Sequence, residues 1–383
     1  MKETRIAWLI PSVELGAYWQ PVLKEFIKTY PNTVFYTGQV WPGFDPNLPG
    51  CSVIELVGET SFLETQQVEA GYTRGFIAVS PAIVGRLRQF KPQVVLPQAF
   101  SLWTVFCVLL KPIFRWKIIL IYDGSSPNTD FRDSKFRTTV RKWLAKFCDT
   151  FVANSQAGKK YLMECLEVPE SKISLHVYLV PDAQALQRGL ESSAKVDLNL
   201  KRPTFLYVGR ITQRKGIKPL IEACAILKER GYEDFNLLIV GTGDQREELE
   251  ALIREKGFES QVTWAGWVEY GNLGPYFQQA DVFVFPTYED VWGMVLPEAM
   301  VFGKPVLCSN GAAALELVEE GGNGYIFDPH NPKQLAEQMS HFLDDPSLIE
   351  RMGARSRELI ARTTPTTAAR DFVEVTEATL AKK

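Results

Sequence analysis

Four charged residues in the second half of the chain are placed as if to hold one ligand. Arg210 and Lys215 flank the loop in "YVGRITQRKG" (207–216), and Asp290 and Glu298 flank Gly293 in "TYEDVWGMVLPEAMVFGKPV" (287–306). Arg can fork onto two phosphate oxygens, and Lys supplies a compact point charge. A strand ends at Val208-Gly209 and a helix begins near Ile217, so the free backbone N–H groups at the start of that helix add partial positive charge. The acids would repel a phosphate, so they suit hydroxyls. One continuous helix would set them about 80° apart at 100° per residue. A loop between them lets both face one cavity. Gly293 lacks a side chain, so backbone at Gly293, Met294 and Val295 can approach a phosphate or sugar.

Two further segments fit the same ligand. "LLIVGTGDQREELEALI" (237–253) places Gly241 and Gly243 between a strand and a helix. The third glycine of a dinucleotide fingerprint is missing, so this is a tight turn that can face a nucleotide, without a bound dinucleotide cofactor. Trp267-Val268 in "AGWV" offers a flat apolar surface and backbone groups for a base edge. Each feature has an ordinary structural alternative: solvated loop cations, a packed tryptophan, or acids that favour a helix N-terminus. Together they supply cations for a diphosphate, a surface for a base and carboxylates for hydroxyls, which is what a sugar nucleotide requires.

The positioning elements follow from periodicity. Strands are expected at "RIAWLI", "QVVLP", "KIILIYD", "TFVANS" and "ISLHVYLV", then at "TFLYVGR", "NLLIVGTG", "VTWAGWV", "DVFVFPT" and "KPVLCS". Between them lie helical patterns such as "IKPLIEACAILKERG". This alternation predicts an α/β chain of two doubly wound, Rossmann-like parallel-sheet domains facing each other across a cleft. Its 383 residues exceed one ordinary core. Periodicity fades at 180–203, read as a linker, giving domains at 1–190 and 200–363 with helix 364–383 returning to complete the first. Ligands in such sheets bind beyond the carboxyl ends of the strands.

Composition narrows the alternatives. A net charge of −3 gives no global field for nucleic acid. Six scattered cysteines and no signal-peptide pattern point to a reducing, cytoplasmic setting. The uncharged stretch 94–110 is expected to be a buried strand and a helix covered on most sides, since Pro97 interrupts it and it is short for a span. "FRDSKFRTTVRKWLAKF" (131–147) carries six Lys/Arg against one Asp among aromatic residues. It reads as a surface helix that could also dock peripherally on an anionic membrane through Arg137, Arg141 and Lys142.

These motifs, with "GGNGYIFDP", "PSVELGAYW" and "CDTFVANSQAGKKYL", resemble the retaining glycosyltransferases of family 4, which have the GT-B fold. The resemblance implies transfer of a sugar from a nucleotide donor with retention, no metal and no cofactor; no Asp-x-Asp triplet is present. It implies Arg210 and Lys215 on the diphosphate, Glu298 on the ribose, and Asp290 on the donor sugar beside the backbone of 293–295. The family has Glu where this chain has Asp290, and neighbouring Glu289 is one residue out of register. No His follows the central first-domain strand; Tyr122 and Asp123 stand there. Asp123 is a candidate for contact with donor sugar or acceptor, or else caps a turn. Gly16 remains of the family's usual glycine pair in the first loop. The donor expected from the resemblance is UDP-glucose, with GDP as the alternative base, and the acceptor a saccharide or lipid-linked saccharide. A nucleotide-sugar epimerase and a non-catalytic sugar-nucleotide sensor are the competing readings.

Overall fold

The computed structural model describes residues 3–12, 18–41, 44–192, 196, 198 and 200–382. The chain divides into two units. The first comprises Met1–Gln67, Thr73–Val180 and Thr363–Lys383, the second Val68–Tyr72 and Pro181–Arg362.

The first unit holds strands β1 (Ile6–Leu9), β2 (Thr33–Thr37), β3 (Ile54–Leu56), β4 (Ser61–Gln66), β5 (Arg74–Ala78), β6 (Val94–Pro97), β7 (Lys117–Tyr122), β8 (Thr150–Ala153) and β9 (Ile173–Leu175). Seven form one sheet in the order β3-β2-β1-β6-β7-β8-β9, and β4-β5 form a separate antiparallel pair. Along β1 the side chains alternate between two cores. Ala7 and Leu9 join Trp103, Ile118 and Leu120, whereas Ile6 and Trp8 join Trp19, Phe26 and Phe372. Such two-sided burial is why parallel strands read as unbroken apolar runs. Phe372 comes from helix Pro365–Ala381, and its ring lies 4.7 Å from that of Trp8.

The second unit holds β10 (Thr204–Val208), β11 (Asn236–Val240), β12 (Val262–Gly266), β13 (Val282–Phe285), β14 (Val306–Ser309) and β15 (Gly324–Phe327). They form a parallel sheet in the order β12-β11-β10-β13-β14-β15. The order reverses between β10 and β13, which is the topological switch point where open α/β sheets place a ligand.

Two expectations need correction. "ISLHVYLV" yields only the short strand β9, because the N–H groups of Tyr178 and Leu179 donate to the Asn154 side chain at 2.9 Å rather than to a ladder. The polar linker contains helix Ala183–Ser192, so residues 181–190 group with the second unit. Helix Leu102–Phe114 is covered on most sides, as expected: Trp103, Thr104, Cys107 and Val108 are buried and Val105, Phe106, Leu110 and Phe114 pack against the core, while Leu102, Leu109 and Ile113 are exposed. Among the described residues no helix is long and apolar enough to cross a membrane.

Candidate functional site

The candidate residues of the second unit collect at the carboxyl edge of its sheet, where backbone hydrogen bonds stitch the strand exits together. Gly209 N–H donates to Val240 O (3.0 Å), and Gly241 N–H to Gly266 O (2.7 Å). A Cβ on Gly241 would lie 1.9 Å from Gly209 O, so only glycine lets these two loops touch. That is the local reason for the first glycine of the Gly-Thr-Gly turn. On the other side of the switch point, the Arg214 carbonyl accepts from Tyr288 N–H (2.9 Å) and the Thr287 hydroxyl (3.0 Å). The loops after β10 and β13 are therefore one rigid assembly.

Arg210 and Lys215 differ sharply in environment. Arg210 is exposed and forms no ion pair among the described residues. Its loop is braced by the Tyr207 hydroxyl, which donates to Arg210 O at 2.7 Å. Lys215 is half-buried, with Nζ 2.6 Å from Asp290 Oδ2 and 5.3 Å from the Phe285 ring centroid. Immediately after it, helix Ile217–Glu229 begins at Gly216 with no side-chain cap, so its leading N–H groups stay open.

Asp290 is buried at 8% exposure, and a bridge to Ala312 locks its backbone. Its N–H donates to Gly311 O (2.9 Å), and its carbonyl accepts from Ala313 N–H (3.1 Å). Oδ1 accepts from the Tyr72 hydroxyl (3.1 Å) and Trp292 N–H (3.3 Å). Oδ2 faces Lys215 and, at 3.5 Å, Arg214. Burial by itself would raise the Asp290 pKa, but the charges of Lys215 and Arg214 and the Lys215 hydrogen bond hold it below the usual value. Glu289 points elsewhere: its Oε2 accepts from Tyr72 N–H at 2.7 Å. The two adjacent acids are thus engaged by different groups of one residue.

Glu298 lies in the first turn of helix Val295–Val301 and is 2% exposed. Its Oε1 accepts from the Tyr270 hydroxyl at 3.0 Å. Met294 is the N-cap of that helix and Val295 its first residue. Gly293 has φ +102°, and a Cβ there would meet the Phe285 ring at 2.4 Å. Gly293→Ala should therefore destabilise the protein by about 1–3 kcal/mol. A denaturant midpoint equal to that of the parent would contradict this. Trp267 is 71% exposed, ruling out the packed alternative, and Val268 is half-buried.

Asp123 sits at the carboxyl end of β7 in the first unit. Its carboxylate accepts from the Tyr178 hydroxyl (2.7 Å) and from Gln98 Nε2, and burial raises its pKa against those two hydrogen bonds. The following turn is capped by Ser126, not by Asp123. Gly16 lies outside the described residues. Among the described residues no group of three His, Cys, Asp or Glu could hold a metal ion.

Two participants escaped the sequence reading. Arg214 donates to Glu289 O at 2.6 Å and stacks 4.0 Å from the Tyr72 ring centroid. Tyr72 lies 218 positions before Asp290, so no local pattern links them. The adjacent cations in "QRKG" were the only available signal, for Arg214 alone.

Residues 190–359 match the family described as Glycosyl transferases group 1. The chain is 30% identical over 239 residues to the Alpha-D-kanosaminyltransferase of Streptomyces kanamyceticus, covering 61% of this chain and 60% of that enzyme. It is also 30% identical over 152 residues to the D-inositol 3-phosphate glycosyltransferase of Paenarthrobacter aurescens, covering 39% of this chain and 37% of the relative. The matched stretches thus span less than two thirds of these relatives. Among solved structures, Alr3699/HepE of Anabaena, in complex with UDP, matches with a TM-score of 0.75 at 18% identity, over 98% of this chain and 100% of that one. The fold, two Rossmann-like parallel sheets, is the GT-B fold, and the region 190–359 that carries Arg210, Lys215, Asp290 and Glu298 is similar to the glycosyl transferases group 1.

Proposed function

We propose that the protein transfers a sugar from a nucleoside-diphosphate donor to a saccharide or lipid-linked saccharide acceptor, with UDP-glucose as the donor. The observation that carries this reading is the switch-point crevice of the second unit. There an exposed Arg210 and a half-buried Lys215 stand beside an uncapped helix N-terminus. The matched family and the UDP complex of the Anabaena protein support it.

In this reading Lys215 gives one of its three N–H donors to Asp290 and keeps two for the diphosphate. Arg210 adds a fork on the solvent side. Charge that grows on the leaving diphosphate then meets donors already in place, which lowers the barrier without reorganisation. Glu298 takes the ribose hydroxyls, Trp267-Val268 the base, and Gly209, Gly241 and the 293–295 backbone line the path. Asp290 plays two parts. Its acceptor positions are filled by Lys215, Arg214, Trp292 N–H and Tyr72, so it first orients Lys215. A donor-sugar hydroxyl reaches it by replacing Tyr72, its one neutral side-chain partner. Reaction on one face, with retention, follows from positioning and charge alone and requires no metal. Asp123 and Gly16 are assigned to the first unit's share of donor and acceptor contacts.

The reading predicts that UDP raises the melting temperature more than GDP does. A ligand at a hundred times its Kd adds about 2.7 kcal/mol of stability. Incubation with UDP-glucose should also release free UDP slowly. Binding without release in the presence of acceptors would favour a sensor, and a changed sugar nucleotide without acceptor would favour an epimerase.

A further inference from the structure

Two helices of the first unit carry outward apolar stripes with the same spacing. Leu102, Leu109 and Ile113 on helix Leu102–Phe114 are 45%, 56% and 71% exposed. Phe136, Trp143 and Phe147 on helix Lys135–Phe147 are 78%, 43% and 42% exposed. Intervals of seven and four residues keep each stripe within about 40° of arc. The stripes meet at a groove of about 500 Å³ lined by Leu109, Pro112, Trp116, Trp143 and Phe147. The Trp143 and Phe147 rings pack edge to face, 5.0 Å apart, at its wall.

The charge around this groove is mainly positive, with Lys111, Arg115 and Lys117 against Asp149 in its lining. Residues 102–117 and 135–147 contain eight Lys/Arg and no Asp/Glu, in a chain whose net charge is −3. Some of these cations serve the fold. Arg137 stacks 3.5 Å from the Phe131 ring centroid, Arg141 donates to the Tyr161 hydroxyl (2.8 Å) and Thr129 O (3.3 Å), and Lys142 pairs with Glu167 (2.7 Å). The three cations expected to meet a membrane thus each have a partner within the first unit, Lys142 through a surface pair. At the groove Lys111 pairs with Asp149 (2.6 Å), but Arg115 and Lys146 are exposed and form no salt bridge among the described residues.

We propose that this face docks on the surface of an anionic lipid bilayer, with Leu109, Ile113, Trp143 and Phe147 entering the headgroup region and Arg115 and Lys146 meeting lipid phosphates. Protruding apolar side chains rimmed by cations are the chemistry of interfacial binding. A second copy docked symmetrically on the same face would oppose like charges.

The test is co-sedimentation of the whole protein with vesicles, either pure phosphatidylcholine or equal parts phosphatidylglycerol and phosphatidylcholine. The mixed vesicles should carry the protein down, and the neutral ones should not. Ile113→Asp should weaken binding about tenfold or more, and Arg115→Gln/Lys146→Gln by a similar factor. Leu48→Asp, at an exposed apolar position elsewhere, should bind as the parent does. All four positions are exposed, so melting temperatures should be unchanged, which separates lost docking from lost folding. Equal sedimentation with both vesicle types, no sedimentation, or variants that bind like the parent would overturn the proposal. So would a dimer abolished by Ile113→Asp with no vesicle binding. None of these outcomes bears on nucleotide binding in the second unit.

Discussion

Lys215→Ala is expected to lower kcat/KM for donor turnover by about 10²- to 10³-fold, or roughly 3–4 kcal/mol, the usual cost of removing one preorganised donor from a developing oxyanion. Lys215 is the half-buried cation at the switch point, held in place by Asp290 and the Phe285 ring. Its loss removes the donor that needs no reorientation when the sugar–phosphate bond breaks. Arg210→Ala should cost less, because Arg210 is exposed and water can partly replace it. Lys215→Arg should not restore activity, since a planar fork cannot keep the single-point contact on Asp290 and still face the crevice. Steady-state kinetics at saturating acceptor read the effect. A rise in KM with kcat unchanged would mean that Lys215 binds ground state and transition state equally and contributes nothing specific to the chemical step.

Asp290→Asn is expected to destabilise the protein by about 3–5 kcal/mol, the cost of breaking a buried ion pair on one side. The two side chains are only 16% and 9% exposed, so solvent screens the pair weakly. The pH dependence gives a signature that lost packing would not. The folded Asp290 carboxyl lies below its usual 3.8, so its stabilisation is complete above 3.8 and disappears as pH falls through the folded value. The stability gap between parent and variant, read from urea midpoints, should be wide at neutral pH and close in strong acid. A gap that stays constant with pH would show that the charge of Asp290 is not what stabilises the loop.

The four charged residues of the second unit were legible because each follows a strongly apolar strand, and parallel topology puts every such exit on one edge. What their side chains do was less legible. Asp290 read as a free sugar contact, yet it is the hub on which Lys215, Arg214 and Tyr72 converge. Gly293 read as room for a ligand, but Phe285 already requires a glycine there. Tyr72 was invisible because long-range proximity leaves no trace in local spacing. Strands β4 and β5 were missed for a related reason. β4 is wholly exposed and no residue of β5 is fully buried, so burial imposes no apolar alternation on "SFLETQ" and "RGFIA". Helix Ala183–Ser192 was hidden by its polar composition, although Leu186 is buried.

The most direct measurement is calorimetric titration of UDP and of uridine into the parent protein and into the Lys215→Ala and Glu298→Ala variants. If the crevice holds a nucleoside diphosphate, UDP binds far more tightly than uridine. Lys215→Ala should then remove most of that difference, and Glu298→Ala should weaken both ligands by about 1.5–3 kcal/mol, as expected for hydrogen bonds to a charged acceptor. Equal affinities for UDP and uridine, or a UDP affinity untouched by Lys215→Ala, would contradict the assignment of the switch point as the diphosphate site.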